Sequence, residues 1–382
     1  MIYLDNNATT RLDPRVLAAM MPFLTDEYAN AASTHPFGLR AHEAVKLARQ
    51  QVAQLLSCEP TELIFTSGAT EAINLAIKGV ADSYASRGRH IVTVQTEHTA
   101  VLDVCRYLET QGCEVSYLPV QPDGRLDLAV VQAAIRPDTI LVSVMLVNNE
   151  TGVIQPIREI AALAHAAGAL FLTDATQAVG KLPIDVEALG IDLLTCSGHK
   201  LYGPKGIGAL YVRQRKPRRV KLAALLHGGG HERGWRSGTL NVPGIVGLGH
   251  AAELCRQTMT EEAARLGALR DELEAGLLTI PGTHVNGNQQ HRLYNTTNIL
   301  FEGCDSDALI MGLTGIAVSN GSACTAASVD PSHVLLAMGL DETAAFSCLR
   351  FSLGRFSGVA ELPEVRQTLA GVVQQLRAYA AV

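Results

Sequence analysis

Between residues 60 and 215 the chain alternates short apolar runs rich in β-branched residues with helical patterns, and this rhythm restricts its fold more than any other feature. The runs are LIFT (63–66), HIVTVQ (90–95), EVSYLPV (114–120), TILVSVMLV (139–147), LFLTD (170–174), LLTC (193–196) and ALYV (209–212). Near-continuous apolar strands are buried on both faces, and the helices between them supply the cover. The pattern therefore predicts an α/β domain around a mostly parallel sheet of seven strands. Ligands of such a sheet belong at the carboxyl ends of its strands.

After the loop HGGGHERGWRSGTLNVPG (227–244) the pattern changes to a long helical stretch, about 245–278, then to short strands mixed with helices and a last amphipathic helix from about Ala360. We expect a second, smaller α+β domain there, joined by the N-terminal segment. The division reads as 14–250 for the large domain and 1–13 with 251–382 for the small one.

With 382 residues, 47% hydrophobic, the chain is long enough to bury a large core. A formal net charge of −6, with RQRKPRR (213–219) as the one basic run, argues against a nucleic-acid surface. The start, MIYLDNNATT, lacks a charged segment ahead of an apolar core, and no window approaches the ~18 apolar residues of a membrane span. The expected compartment is the cytoplasm. Eight cysteines without a CxxC pair argue against a disulfide framework or an intrinsic metal site.

The chemistry lies where apolar runs stop. CSGHKLYGPKG (196–206) follows a buried strand and sets Ser197, His199 and Lys200 together. A lysine there is a phosphate clamp, a surface charge or a Schiff-base amine. The nucleotide readings fail on spacing, since GPKGIG is neither GxGxxG nor GxxxxGK[ST], and HERGW is not HExxH. In FTSGATE a strand gives way to Ser67, Gly68, Ala69 and Thr70 and then a helix, so free N–H groups at a helix start form either a phosphate cradle or a plain N-cap.

Asp174 closes LFLTD, where an ionised carboxylate needs a cationic or hydrogen-bonding partner, and a protonated pyridine nitrogen would be one. Gln177 and Asn149 are amides suited to a phenolic oxygen, or to turns. Taken together these are the parts of a pyridoxal 5'-phosphate site, with Lys200 available as the base at a substrate Cα.

LDNNATT, TSGATEA, EHTAV, NNETG, TDATQAVGK, SGHKLYGPKG, GGGHERGWRSGT, GSACT, PSHVLLAMG and LRFSLGRF resemble, in order and spacing, the cysteine desulfurases of the nitrogen-fixation and iron–sulfur-cluster type, within the class V aminotransferases. The resemblance implies a PLP-dependent transferase of fold type I (aspartate-aminotransferase-like), a homodimer, and conversion of L-cysteine to L-alanine. Lys200 would be the Schiff-base lysine, Asp174 the partner of the ring nitrogen, and Asn149 and Gln177 contacts of the ring hydroxyl. His98 would stack on the ring and assist proton transfer. Ala69, Thr70, Ser197 and His199 would hold the phosphate, joined by Thr239 from the partner subunit. Arg350 would grip the substrate carboxylate, and Asn149 would also contact the substrate.

Cys324 would take the sulfur as a persulfide, in SNGSACTAAS (319–328), whose small residues keep the backbone permissive. It would pass its cargo to an iron–sulfur scaffold or another acceptor protein, as a transient cluster ligand in the first case. The alternatives are another fold type I lyase or aminotransferase, such as a selenocysteine lyase, and a non-catalytic sulfur carrier. Three positions depart from the family's usual pattern: ANAAS at 29–33, Phe346 and Trp235.

Overall fold

The computed structural model describes residues 1–321 and 330–380; the predicted sulfur acceptor Cys324 lies outside the described residues. All seven apolar runs form strands: β1 (Leu63–Thr66), β2 (His90–Val94), β3 (Glu114–Leu118), β4 (Thr139–Ser143), β5 (Leu170–Asp174), β6 (Leu193–Ser197) and β7 (Gly208–Val212). They make one sheet in the order β1-β7-β6-β5-β4-β2-β3. Only β7 is antiparallel to its neighbours, β1 and β6. The sheet is thus mostly parallel, as the rhythm predicts.

Period-2 alternation sends successive side chains to opposite faces. Leu63, Phe65, Phe171, Leu194 and Cys196 face one core, and Ile64, Leu170, Leu172 and Leu193 face the other. The first face is covered by α1 (Pro36–Leu56), α4 (Ile157–Ala166) and part of α5 (Val242–Leu277), and the second by α2 (Ala69–Ser83) and α3 (Thr99–Thr110). The start of α1 has the expected chemistry: Pro36 sits at the first helical position behind His35, whose side chain accepts from the Gly38 N–H.

TILVSVMLV is overrun by its own apolarity. The strand ends at Ser143, and Val144 to Val147 continue as buried irregular chain along β5, with Val144 N donating to Leu172 O and Leu146 N to Asp174 O.

At 36 residues, α5 serves two cores. Its first half, with Ile245, Leu248, Ala252 and Cys255, packs on the large sheet. Its second half, with Leu266, Leu269, Leu273 and Leu277, packs on a separate cluster around Phe301, Phe351, Val365 and Leu369. That cluster lies over an antiparallel sheet of β8 (Thr283–Asn286), β9 (Thr296–Phe301) and β10 (Cys348–Ser352), with β9 central, and under α6 (Leu362–Ala380). Ile2 and Leu4 belong to the same cluster, and Ile2–Tyr3 pairs with Ile316–Ala317. Residue 250, the expected division, falls within α5.

Three arginines of the basic run are paired with acids locally. Arg213 is buried and pairs with Glu187, Arg215 with Glu62 at 3.0 Å and Arg218 with Asp192 at 3.4 Å. Among the described residues no helix is long and apolar enough to cross a membrane, and no cluster of three His, Cys, Asp or Glu side chains could hold a metal ion.

Candidate active site

A cavity of about 490 Å³ opens at the carboxyl ends of β1, β2, β5 and β6 and collects Ala69, Thr70, His98, Asn149, Asp174, Gln177, Ser197, His199, Lys200 and Arg350. Every predicted site residue lines it except two. Thr239 is exposed on another loop, and Cys324 is not described. Gly321, three residues before Cys324, lies on the cavity wall.

The anion end is built by α2. Its N-cap is Gly68, which has no side chain to cap the first-turn N–H groups of Ala69 and Thr70, so a cradle of donors faces the cavity at the positive end of the helix dipole. The approach depends on Gly208 of β7: a Cβ there would stand 2.7 Å from the Gly68 Cα. Glu71, in the same turn, takes the Ser67 N–H at 2.8 Å and pairs with Arg236 at 2.7 Å. That pair ties down the RSGT loop, which carries Thr239.

His199 contributes its ring beside this cradle. Burial, with Lys200, Lys205 and Lys181 adding positive charge, lowers its pKa to about 4, so the imidazole is neutral near pH 7. Its Nδ1 lies 3.1 Å from Thr9 Oγ1.

β5 ends on Asp174, whose three protein donors all reach one oxygen: Thr176 N at 3.0 Å, Thr176 Oγ1 at 2.5 Å and Thr195 Oγ1 at 3.2 Å meet Oδ1. His98 ends the turn after β2 and starts α3, its Nδ1 accepting the Ala100 N–H at 3.1 Å. An accepting Nδ1 leaves the proton of a neutral ring on Nε2. The neighbouring Glu97 is wholly buried; burial raises its pKa well above the ordinary carboxylate value, against the Met145 N–H it accepts, with Asp174 adding to the rise.

Lys200 sits in a 3₁₀ turn directly after β6. Its amine donates to Asn7 O at 2.5 Å and Ala8 O at 2.7 Å. The turn is held by Tyr202, which adopts a left-handed φ of 64°. Such a conformation costs about 1–3 kcal/mol and persists only where neighbours over-determine it; here Tyr202 N donates to Thr10 Oγ1 at 2.9 Å and its hydroxyl accepts from Arg355 N at 2.7 Å.

Arg350 enters from β10, with Nη2 on Asp5 Oδ1 at 2.7 Å and Nη1 on Asn149 O at 3.0 Å. Two buried polar atoms of the cavity residues lack a partner among the described residues, Arg350 Nε and Asn7 Oδ1. A lysine amine, a carboxylate with one oxygen occupied, an uncapped helix start and orphaned amide and guanidinium atoms form the donor set that a phosphorylated pyridine aldehyde requires. The residues present fit pyridoxal 5'-phosphate.

The N-terminal segment was the part left without roles by the sequence reading. Asp5, Asn7 and Ala8 hold Arg350 and Lys200, and Thr9 faces His199. LDNNATT is one of the motifs that carry the resemblance, but the groups in contact with Lys200 are backbone carbonyls, which no residue type announces. Lys181, also without a role, is discussed below.

Of the three departures, Phe346 is half-buried and its carbonyl accepts from Ser306 N, while Trp235 packs against the second face of the sheet under the Arg233 guanidinium, 5.3 Å away. Ala29 to Ser33 form a loop before α1, with Gly38 so close to Ser33 O that a Cβ would stand 2.3 Å from it. None of these lines the cavity.

The aminotransferase class-V pattern matches residues 2–365. A cysteine desulfurase IscS of Anaeromyxobacter dehalogenans is 54% identical over 378 residues, 98% of this chain and 93% of the relative. One from Haemophilus influenzae is 52% identical over 380 residues, 99% of this chain and 94% of the relative. Among solved structures, a NifS-like protein superposes with a TM-score of 0.91 at 38% identity, over 98% of this chain and 99% of its own. The chain belongs to the class-V aminotransferase family, whose pyridoxal phosphate fold the sheet and its strand-end cavity reproduce.

Proposed function

We propose that the protein is a pyridoxal phosphate-dependent cysteine desulfurase that converts L-cysteine to L-alanine and moves the sulfur to Cys324. The observation that carries this is the convergence of Lys200, Asp174, Gln177 and Arg350 on one cavity, with Gly321, three positions before Cys324 in the sequence, on its wall. Pyridoxal 5'-phosphate supplies an electron sink for the charge left at the substrate Cα.

The residues assign themselves by chemistry. The Ala69 and Thr70 N–H groups, Ser197, neutral His199 and Thr239 of the partner subunit hold the phosphate. Asp174 offers the ring nitrogen its unengaged oxygen and keeps it protonated. Gln177 and Asn149 meet the ring hydroxyl, and His98 covers the ring face. Arg350 grips the substrate carboxylate, a role supported by its Nε, which has no partner among the described residues. Lys200, with its amine steered by the Asn7 and Ala8 carbonyls, takes the Cα proton and returns it. The Cys324 thiolate attacks the substrate sulfur: an S–S bond forms, the C–S bond breaks with its electron pair left on the substrate, and the carbon is protonated to give alanine. The persulfide then goes to an iron–sulfur scaffold or another acceptor protein.

We also propose a homodimer. Leu17, Met21, Leu24, Tyr28, Phe37 and Leu39, all between residues 17 and 39, are exposed, and a contiguous apolar patch of this kind marks an interaction surface. The division into 14–250 and 1–13 with 251–382 is part of the same reading, α5 being the shared spine. The seven described cysteines are all free, which suits a cytoplasmic protein.

The test is turnover by the cofactor-loaded protein. Alanine forms from L-cysteine in the wild type and not in Lys200→Ala; cofactor uptake without alanine formation would sink the assignment.

A further inference from the structure

Lys181 is a buried cation close to the cavity that the assignments above do not use. It is 4% exposed, and among the described residues no carboxylate comes within ion-pairing distance. Instead its ammonium nitrogen donates to two oxygens of one residue, Gln177 O at 3.2 Å and Gln177 Oε1 at 3.1 Å. The two residues are four apart in the turns that follow β5, where Gly180 between them takes a left-handed φ of 79°.

An ammonium has donors and no acceptor. It therefore pairs only with the oxygen end of the Gln177 amide, and the NH₂ end is turned the other way. There Gln177 Nε2 donates to Asn7 O at 2.9 Å, the same carbonyl that takes the Lys200 amine, and Gln177 lines the cavity. We propose that Lys181 is a positioning residue that locks the Gln177 amide in one orientation, so that the group presented to the cofactor's phenolic oxygen is an N–H donor and not a carbonyl. The proposal rests on the reading of Gln177 as a partner of that oxygen.

The chemistry of the lock is directional. A donor stabilises an ionised phenolic oxygen, whereas a carbonyl in its place repels it, so the amide flip decides which protonation state the site favours. The groups facing Lys181 are Lys200 from the turn after β6, His199 beside it and Cys255 from α5. Burial lowers the Lys181 pKa to about 7, with Lys200 acting in the same direction and Cys255 against it. Below that pH the side chain is donor-only and the lock is strict; above it two N–H groups remain for two Gln177 oxygens.

The experiment is a visible-absorbance pH titration of cofactor-loaded wild type, Lys181→Met, Gln177→Ala and the double variant, with thermal unfolding run alongside. Loss of a donor to the phenolic oxygen raises the titration midpoint. Lys181→Met moves it up by about one unit, a tenfold change in proton affinity, and the double variant moves no further than Gln177→Ala alone. An unmoved midpoint in Lys181→Met, with Gln177→Ala shifted, would overturn the lock while leaving the reading of Gln177 intact. An unmoved midpoint in Gln177→Ala would overturn that reading and the lock with it. A Lys181→Met shift that persists undiminished without Gln177 would reassign Lys181 to a through-space charge effect.

A second readout needs no substitution at Lys181. In ¹⁵N-glutamine-labelled wild-type holoenzyme, the Gln177 side-chain amide protons, identified by their loss in Gln177→Ala, exchange with solvent more slowly than those of exposed glutamines at every pH compared. Fast exchange throughout contradicts the lock.

Discussion

Two arginines five residues apart in the chain make a controlled comparison. The side chains of Arg350 on β10 and Arg355 just beyond it are both largely covered, 4% and 8% exposed, and each pairs with an aspartate of the N-terminal segment, Asp5 and Asp13. Arg355 is saturated. Its guanidinium meets Asp13 Oδ2 at 2.7 Å, Glu262 Oε1 at 2.5 Å and Thr258 Oγ1 at 3.4 Å, and it lies 4.2 Å from the Tyr202 ring centre. Among the described residues, Arg350 meets one carboxylate and one carbonyl and its Nε has no partner, and it borders the cavity. The difference teaches how to tell a cation that fastens the fold from one that waits for a ligand. Burial and pairing are common to both; spare donor capacity facing a cavity belongs to one.

The sharpest way to break the contrast is to truncate each arginine. Arg355→Ala leaves the buried Glu262 without its cation and lowers unfolding stability by about 3–5 kcal/mol, measured by denaturant unfolding, while kcat/KM for L-cysteine in the folded fraction changes far less than in the partner experiment. Arg350→Ala lowers kcat/KM about a hundredfold, roughly 3 kcal/mol of lost carboxylate binding, with the loss concentrated in KM. Arg350→Lys recovers only part of it, because a point charge does not reproduce the fork. Equal losses of stability and equal kinetics for the two truncations would erase the distinction.

A finer test separates Arg350 from its own fastening. Asp5→Asn costs about 1–2 kcal/mol of stability by weakening one charge-assisted hydrogen bond, yet does not raise KM, since the guanidinium remains in place. A KM that rises as much as in Arg350→Ala would mean that Asp5, not the substrate, sets the affinity.

The smallest effect concerns pH. The Arg15 side chain first, and then its backbone N–H and Arg355, hold the Asp13 carboxyl well below the usual carboxylate range, against the opposing effect of burial. A depressed folded-state pKa contributes stability that is present above the unfolded value near ~4 and is lost as pH falls below it. The wild type therefore loses stability faster than Asp13→Asn on acidification below about pH 4. Parallel acid limbs for the two proteins would contradict this.

Much of the site was readable because strand ends are readable. LIFT and LFLTD begin and end where the apolar runs do, and Asp174 and Lys200 follow as polar residues at the stop of a buried strand. TILVSVMLV was less legible, since four apolar residues beyond Ser143 are buried as irregular chain and hydrophobicity does not distinguish that from strand. The holders of Lys200 were not legible at all. Asn7 lies 193 residues from it and acts through its backbone carbonyl, a group that every residue possesses. Lys181 had a local signal, four positions after Gln177, but its meaning depended on burial and on the absence of an acid beside it.

The central claim is that the cavity at the strand ends delivers sulfur from L-cysteine to Cys324. The most direct measurement is the intact mass of cofactor-loaded protein after brief exposure to L-cysteine without reductant. The account predicts a gain of one sulfur atom in the wild type, removed by a thiol reductant and absent in Cys324→Ser. A sulfur adduct that survives in Cys324→Ser, or alanine formed by the wild type with no adduct on Cys324, would contradict it.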